Sequence, residues 1–233
     1  MRVRFRFVKL GKVRWTSHRD VARMWERAFR RVQLPLAYSQ GFSPRPRVSF
    51  GLALPTGAES VAEYLDVELA PGTEVDPAAL AGRMSPALPT GVDVAAAALV
   101  EDGAASLQSE VTSCCWRLEV AGIGPAELGD RAARAWEAPT LVVSRERKGT
   151  RAEEDIRPGI LALAVGGAAL VCELATMPRA LRPSELLRAV GIEPATVGVR
   201  RISQWIERDG ARQEPLALPV GATGAPHAVE RAS

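Results

Sequence analysis

The sequence contains few of the residues that build metal centres and disulfide frameworks. Its three cysteines, Cys114, Cys115 and Cys172, fit neither a disulfide-stabilised fold nor the ligand spacing of a zinc or iron–sulfur site. Of its two histidines, His227 lies close to the C-terminus, which leaves no histidine-rich metal site. We therefore expect that this chain binds no metal ion itself.

Long apolar runs and recognised catalytic motifs are missing as well. No stretch approaches the roughly 18 uninterrupted apolar residues of a membrane-spanning helix. The first seven residues alternate charged and apolar side chains, unlike the apolar core of a signal peptide. We therefore expect a cytoplasmic protein with no membrane association. The Walker A, GxGxxG, GxSxG and CxxC motifs are absent, so no motif assigns an enzyme class.

Arginine is abundant, and it is concentrated near the N-terminus. Residues 1–50 hold thirteen basic residues against two acidic ones, a net charge of +11. The remaining 17 basic and 25 acidic residues give a net charge of −8. This asymmetry favours a polyanionic ligand, most often a nucleic acid. In the alternative interpretation, the basic segment packs beside the acidic remainder and is neutralised there.

The first two elements are predicted by hydrophobic periodicity. Residues 2–8 alternate arginine with apolar residues, which predicts a strand. Ser17 and Asp20 form a capping-box pattern that begins a helix ending near Gln33. At 100° per residue, the apolar residues of this helix occupy one face. The opposite face carries a row of five arginines: Arg19, Arg23, Arg27, Arg30 and Arg31.

The order of the remaining elements indicates the fold class. Strands are predicted at residues 48–54, 61–70, 92–100, 114–121, 140–146, 158–165, 168–176 and 197–207, and helices at 77–84, 125–137 and 183–190. The order β-α-β-β-α-β occurs twice and favours an α+β protein with two ferredoxin-like halves and antiparallel sheets. The halves are predicted at residues 1–102 and 103–208, with one sheet face free for a ligand or for the other half. Residues 209–233 are predicted to be a disordered tail.

Residues 38–47 combine aromatic, glycine, proline and arginine residues in one predicted loop. A stiff loop of this composition can stack an aromatic ring on a base while a guanidinium contacts phosphate. In the alternative interpretation, the two aromatic rings plug the core. The candidate substrate-binding residues in this loop are Tyr38, Ser39, Gly41, Phe42, Pro44, Arg45 and Arg47.

A second group of candidates surrounds the start of the first helix. His18 lies in the first turn, where free backbone N–H groups can hold an anion, and its imidazole could act as an acid or base. A histidine that simply faces solvent is the alternative, and Asp20 is most simply the capping acid. The candidate binding residues of this group are Arg14, Trp15, Ser17, His18 and Arg23.

Two acidic residues occur on the strand predicted at 61–70. Glu63 and Asp66 point to opposite faces, so a paired general acid and base is not favoured, and one of them could form a salt bridge with an N-terminal arginine. Together with His18 and Asp20 they are the weak candidates for catalysis. Arg157 precedes a proline at the start of a strand, and it is a candidate for ligand binding or for a structural role.

Three segments resemble the radical-SAM-associated (radical-SAM-linked) protein family, a domain of unknown function. They are residues 14–20 (RWTSHRD), 38–50 (YSQGFSPRPRVSF) and 63–66 (EYLD), and residues 155–158 and 182–187 are similar to later landmarks. The resemblance spans about residues 1–205. In many members the domain is fused behind a radical SAM protein, and its gene neighbourhood often includes a ribonuclease E/G-type gene. The resemblance implies a context and no particular reaction.

This context leads to one main hypothesis and two alternatives. The sequence lacks the CxxxCxxC motif that holds a 4Fe–4S cluster, so the cluster and S-adenosylmethionine would be bound by a partner. The chain would then be a non-catalytic accessory protein that binds tRNA or rRNA for a separate radical SAM enzyme. The first alternative is an enzyme acting on RNA through His18, Asp20, Glu63 or Asp66. The second is a protein-docking domain that never meets nucleic acid. The sequence leaves the oligomeric state open.

Overall fold

The computed structural model describes residues 1–101, 103–147 and 150–218. Along the chain the helices and strands are β1 (Arg2–Lys9), α1 (His18–Arg31), β2 (Val48–Phe50), β3 (Glu59–Glu68), α2 (Pro77–Met84), β4 (Val92–Val100), α3 (Leu107–Glu110), β5 (Ser113–Val120), α4 (Pro125–Glu137), β6 (Val142–Arg147), β7 (Thr150–Asp155), β8 (Ile160–Gly166), β9 (Ala169–Ala175), α5 (Pro183–Ala189), β10 (Val197–Arg208) and β11 (Ala211–Gln213). The predicted α+β class is confirmed, and the strands pair mostly antiparallel. No helix in the described part of the chain is both long and apolar enough to span a membrane.

The described residues form two compact units. The first unit contains Met1–Val111 and the described residues from Trp205 onward, and the second contains Thr112–Gln204. Residues 103–111, which the sequence analysis grouped with the second half, belong to the first unit. β10 contributes residues to both units.

In the first unit, α1 packs its apolar face on β1. Phe5 and Phe7 alternate with arginines along the strand and meet Trp25 of the helix at ring-centroid distances of 5.5 and 5.0 Å. Phe29 adds a third contact, 6.2 Å from Phe5. Each such pair adds about 0.5–1.5 kcal/mol beyond the burial of apolar area. The predicted apolar faces of β1 and α1 are thus confirmed.

The sheet of the first unit follows the order β4-β1-β3, with β2 paired to the other side of β3. The register places Arg4 opposite Asp66 and Arg6 opposite Tyr64. All four side chains are buried on the face of the sheet opposite α1. This face was predicted to be free for a ligand or for the other half. In the first unit it is instead contacted by Glu214, Pro215 and Leu216.

The second unit has the strand order β10-β5-β9-β8, and β6 and β7 form a separate two-stranded hairpin. Periodicity predicted only the first strand of this hairpin, because β7 is almost entirely polar. An ionic network links the hairpin to the start of α5. Arg179 contacts Glu154 at 2.6 Å and Glu185 at 2.9 Å, and Arg145 contacts the same two carboxylates.

The predicted tail begins with ordered structure. Residues 211–213 form β11, paired with the end of β10, and Glu214 to Leu216 then lie against β1. The prediction of disorder from residue 209 is therefore wrong for this part of the tail. Residues 219–233 of the predicted tail, which include His227, lie outside the described residues.

Candidate nucleic-acid interface

Residues 38–47, which we name the finger loop, project from the edge of the first-unit sheet. The base of the loop is anchored on β3, because Ala37 N–H donates to the carbonyl of Glu68 at 2.8 Å and Arg47 N–H donates to the carbonyl of Ala37 at 2.9 Å. Inside the loop, Ser39 N–H donates to the Arg45 carbonyl at 2.9 Å, and Arg45 N–H donates to Ser39 Oγ at 3.0 Å. These two hydrogen bonds join the two arms of the loop, and Ser39 takes part in both.

The finger loop presents its aromatic rings to solvent. Phe42 is entirely exposed at the tip, next to Gly41 with φ of +121°, and Tyr38 is half exposed. The alternative in which both rings plug the core is therefore wrong. Pro44 is also exposed and stiffens the tip beside them.

The two arginines of the finger loop differ in their surroundings. Arg47 pairs with Glu68 at 2.8 Å, with both side chains about half exposed. Arg45 is exposed and makes no ion pair with any other residue that the structure describes. Arg45 is consequently the guanidinium of this loop that is free to meet a ligand.

The outer face of α1 forms a second basic surface. All five arginines predicted for this face are exposed, and they follow the helix for its length of about 21 Å. Arg23 lies 3.6 Å from Asp20, and Arg31 donates to the carbonyl of Ala87 at 3.2 Å. The others point outward: Arg19, Arg27 and Arg30.

The predicted capping motif at the start of α1 is present. Ser17 Oγ accepts from the N–H of Asp20 at 3.2 Å and donates to the Asp20 carboxylate at 2.7 Å. These bonds to Ser17 lower the pKa of Asp20 below its usual range. Ser17 and Asp20 therefore act together in the helix cap, which is the role that the sequence favoured for Asp20.

Trp15 lies on an exposed platform before α1. It is 64% exposed, the Arg14 guanidinium stacks 5.2 Å from its ring, and Gly57 lies beneath it. A Cβ atom on Gly57 would approach Trp15 Cζ3 to 2.8 Å, so this close approach requires glycine. Arg14 also lies 3.6 Å from Glu59. Arg14 and Trp15 were both predicted as binding candidates, and most of the Trp15 side chain is accessible to a ligand.

His18 and Glu63 line one small cavity together with Lys9. The cavity measures about 20 Å³, room for a single water molecule. The imidazole of His18 packs edge-on against Phe50 at 5.0 Å. Lys9 is buried and donates to the carbonyls of Arg14 and Thr16, and this burial lowers the pKa of its ammonium group. Lys9 is not among the predicted site residues, because a single lysine on a strand has no distinguishing pattern.

Asp66 lies apart from that cavity. It accepts two hydrogen bonds from Arg4, at 2.7 Å from Nε and 2.9 Å from Nη2, and both side chains are buried. The predicted salt bridge between an acid of this strand and an N-terminal arginine is thus present. Glu63 faces the cavity on the other side of the sheet, as the alternation of β3 requires.

Arg157 is held within the second unit. Its guanidinium donates to the carbonyl of Trp136 at 2.8 and 3.1 Å and to that of Ile160 at 3.2 Å, and it stacks 4.4 Å from the Trp136 ring. These contacts match the structural alternative of the sequence analysis, since Nε and both terminal nitrogens already have partners.

The remaining candidates are spread along β3. Trp15 lies near the start of this strand, the His18 cavity is lined by Glu63 and Tyr64 at its middle, and the finger loop is anchored at its last residue, Glu68. A strand of this length spans about 30 Å. One small ligand therefore cannot touch both Trp15 and the finger loop, whereas an extended polymer can.

The sequence of this chain matches the model of a known protein family. The model of a family described as an uncharacterized protein conserved in bacteria (DUF2344) matches residues 2–186. The chain belongs to the DUF2344 family. A comparison with curated proteins finds no match. The matched range includes β1, α1, the finger loop and the His18 cavity, and it ends before β10 and β11.

One cluster in this DUF2344 protein was not predicted from the sequence. On the face of the first-unit sheet opposite α1, Arg6 binds Glu214 and lies over the Tyr64 ring, and Arg4 donates to the carbonyl of the neighbouring Pro215. The alternating arginines of β1 were a signal for this cluster, but their partner is more than 200 positions away in the sequence. Among the described residues, no group of three or more His, Cys, Asp or Glu side chains could hold a metal ion.

Proposed function

We propose that this chain binds RNA, with the finger loop and the outer face of α1 as its binding surface. The observation that supports this most directly is the full exposure of Phe42 beside the unpaired guanidinium of Arg45. An exposed apolar ring does not stabilise the folded state, because it buries no apolar surface. Stacking on an unpaired base would remove one face of the ring and one face of the base from water, and such stacking contributes about 1–3 kcal/mol of binding free energy per base.

The neighbouring charges support the same proposal. Only six residues separate Arg31, the last residue of α1, from Tyr38, the first residue of the finger loop. The exposed guanidiniums of α1 therefore lie on the element that leads directly into the loop. A row of cations next to an aromatic tip is the combination that single-stranded RNA requires, since cations neutralise the phosphates and rings stack on bases.

We also propose an accessory role for this RNA binding. The support is the resemblance of residues 14–20, 38–50 and 63–66 to radical-SAM-associated proteins. In this proposal a separate enzyme supplies the 4Fe–4S cluster and S-adenosylmethionine, and the present chain holds the tRNA or rRNA substrate. The water-sized cavity at His18 gives little support to the alternative of an RNA-acting enzyme, because no base fits inside it.

We further propose that each unit is a ferredoxin-like half. The antiparallel order β4-β1-β3, with β2 on the far side of β3, supports this for the first unit. The order β10-β5-β9-β8 supports it for the second, with β6 and β7 as an insertion. The fold class carries no function by itself, so the RNA proposal depends on the residues of the surface.

The proposal is tested by measuring affinity for a single-stranded RNA and for total tRNA over a range of salt concentrations. Phe42→Ala should weaken binding by about tenfold, a loss of 1.4 kcal/mol, and leave the salt dependence unchanged, because stacking involves no counterion. Arg45→Ala should make the slope of log affinity against log salt shallower by about 0.7. Arg188→Ala removes an exposed arginine of α5 in the second unit and serves as the matched control.

The outcomes separate the competing functions. Wild-type affinity and slope in both finger variants would remove the finger loop from RNA binding. Association with a protein partner that survives nuclease treatment, together with no RNA affinity, would favour the protein-docking alternative.

A further inference from the structure

Two arginines are buried on the face of the first-unit sheet opposite α1, and their hydrogen-bond donors are paired to different extents. Arg4 is 6% exposed and is held by both oxygens of Asp66. Arg6 is 5% exposed, and its hydrogen-bond partners among the described residues are Glu214 and Leu216, more than 200 positions further along the chain. Glu214 Oε2 accepts from Arg6 Nη1 at 2.5 Å, and the carbonyl of Leu216 accepts from the same nitrogen at 3.1 Å.

We name residues 214–216 the strap. Besides Arg6, the strap contacts Arg4, whose Nη1 donates to the carbonyl of Pro215 at 3.2 Å. Leu216 packs against the small apolar cluster of Ala62, Tyr64 and Leu107. The strap therefore has one carboxylate and two carbonyls directed at the arginines, held in place by one apolar side chain.

Two buried donors next to this carboxylate have no acceptor among the described residues. They are the Nε–H group of Arg6 and the hydroxyl group of Tyr64. The two side chains are neighbours, since Arg6 Cζ lies 5.8 Å from the centre of the Tyr64 ring. Burial raises the pKa of Tyr64, so its hydroxyl remains a donor at neutral pH. Buried donors without acceptors are rare in proteins and each needs an explanation.

We propose that Arg6 and Tyr64 form a binding site for a phosphoryl group, and that Glu214 occupies this site when no ligand is bound. A carboxylate offers two oxygens, whereas a phosphoryl group offers at least one more acceptor in a tetrahedral arrangement. The guanidinium of Arg6 can bind such a group either through Nη1 and Nη2 or through Nε and Nη2, and Tyr64 can donate to a further oxygen. Because one anion replaces another, the buried positive charge stays compensated.

A cavity beside the strap provides room for the exchange. It measures about 190 Å³ and is lined by Arg4, Glu110, Arg208, Pro215 and Leu216, among others. A strap that leaves the sheet would also free Arg4 Nη1 from the Pro215 carbonyl. The phosphoryl group can belong to a small phosphorylated molecule or to an RNA backbone. This inference does not depend on the finger loop.

The test compares the wild-type protein with Glu214→Gln and Tyr64→Phe, two changes that preserve side-chain shape. Binding of inorganic phosphate is measured by calorimetry, and the Arg6 Nε–H signal is followed by NMR. If the site is open about a tenth of the time, releasing the strap raises the phosphate affinity about tenfold. Glu214→Gln should therefore bind phosphate more tightly, and addition of Tyr64→Phe should reverse most of this gain.

A control and a second probe complete the test. Glu119→Gln weakens an exposed pair with Arg117 in the second unit and should leave phosphate binding unchanged. A single-stranded RNA used in parallel, in a Phe42→Ala background, separates the two sources of the ligand. RNA binding that tightens with Glu214→Gln assigns the site to the RNA backbone, and tightening for phosphate alone assigns it to a small ligand. Equal affinities of folded wild-type and Glu214→Gln proteins for both probes would overturn the proposal.

Discussion

Replacing Asp66 with asparagine should destabilise the protein by about 3 to 5 kcal/mol, the usual cost of breaking a buried ion pair. The Arg4 and Asp66 side chains are 7% and 3% exposed, and two hydrogen bonds of 2.7 and 2.9 Å join them. Asparagine removes the negative charge and turns one acceptor into a donor that faces the guanidinium. Arg4 would keep a glutamate, Glu110, at 4.0 Å, so the lower end of this range is expected.

The free energy of unfolding is measured by urea denaturation at neutral pH. The matched control is Glu68→Gln on the same strand, because Glu68 also pairs with an arginine, Arg47, but at the surface. Surface pairs contribute about 0–1 kcal/mol, so this variant should remain close to wild type. A double variant, Arg4→Met with Asp66→Leu, replaces the whole pair with apolar groups and should recover most of the lost stability.

The comparison also decides the role of Asp66. A loss below about 1 kcal/mol, equal to that of Glu68→Gln, would refute the reasoning that burial makes this pair costly to break. A folded Asp66→Asn protein that binds RNA normally but fails in an RNA-modification assay would return Asp66 to the catalytic candidates. A large loss of stability that the double variant reverses would identify a structural pair.

Two further changes test the platform and the helix cap. Gly57→Ala places a methyl group 2.8 Å from Trp15 Cζ3 at a φ of +89°. We expect the free energy of unfolding to fall by about 1–3 kcal/mol, as is usual for a strained backbone position, which thermal unfolding would measure. The displaced Trp15 ring should also change the tryptophan fluorescence. Ser17→Ala removes the hydroxyl that lowers the pKa of Asp20, so an NMR titration should show this pKa rising toward 3.8. A carboxyl group whose pKa is lower in the folded state stabilises the fold at pH values above its unfolded-state pKa, and this stability is lost as the pH falls. Because Ser17→Ala removes this contribution, the variant should lose less stability than wild type when the pH is lowered through the pKa of Asp20.

Local sequence patterns predicted the elements whose causes are local. The alternation in β1, the apolar stripe of α1 and the serine cap at position 17 each involve residues a few positions apart, and all three are present. The exposure of the arginine row on α1 follows from the same periodicity.

The candidate site was harder to predict, because exposure and pairing depend on distant residues. Alternation shows that Arg4 and Arg6 share a face, but it does not show what covers that face. The covering strap has the polar, glycine- and proline-rich surroundings of a disordered tail, and one leucine and one glutamate suffice to anchor it. For Phe42 the loop composition left both exposure and burial open, and the ring is exposed because the loop around it extends into solvent instead of folding back on the core.

The net charge of the N-terminal segment overstates its basic surface. Six of its thirteen basic residues lie within 4.0 Å of a carboxylate among the described residues: Arg2, Arg4, Arg6, Arg14, Arg23 and Arg47. Lys9 is buried as well. Because Arg23 pairs with Asp20 inside the segment, the interpretation in which the acidic remainder neutralises the basic segment is correct for five of its thirteen basic residues. The polyanion interpretation retains the outer face of α1 and Arg45. In the proposed RNA complex the phosphates would therefore contact the outer face of α1 and Arg45, and the bases would contact Phe42.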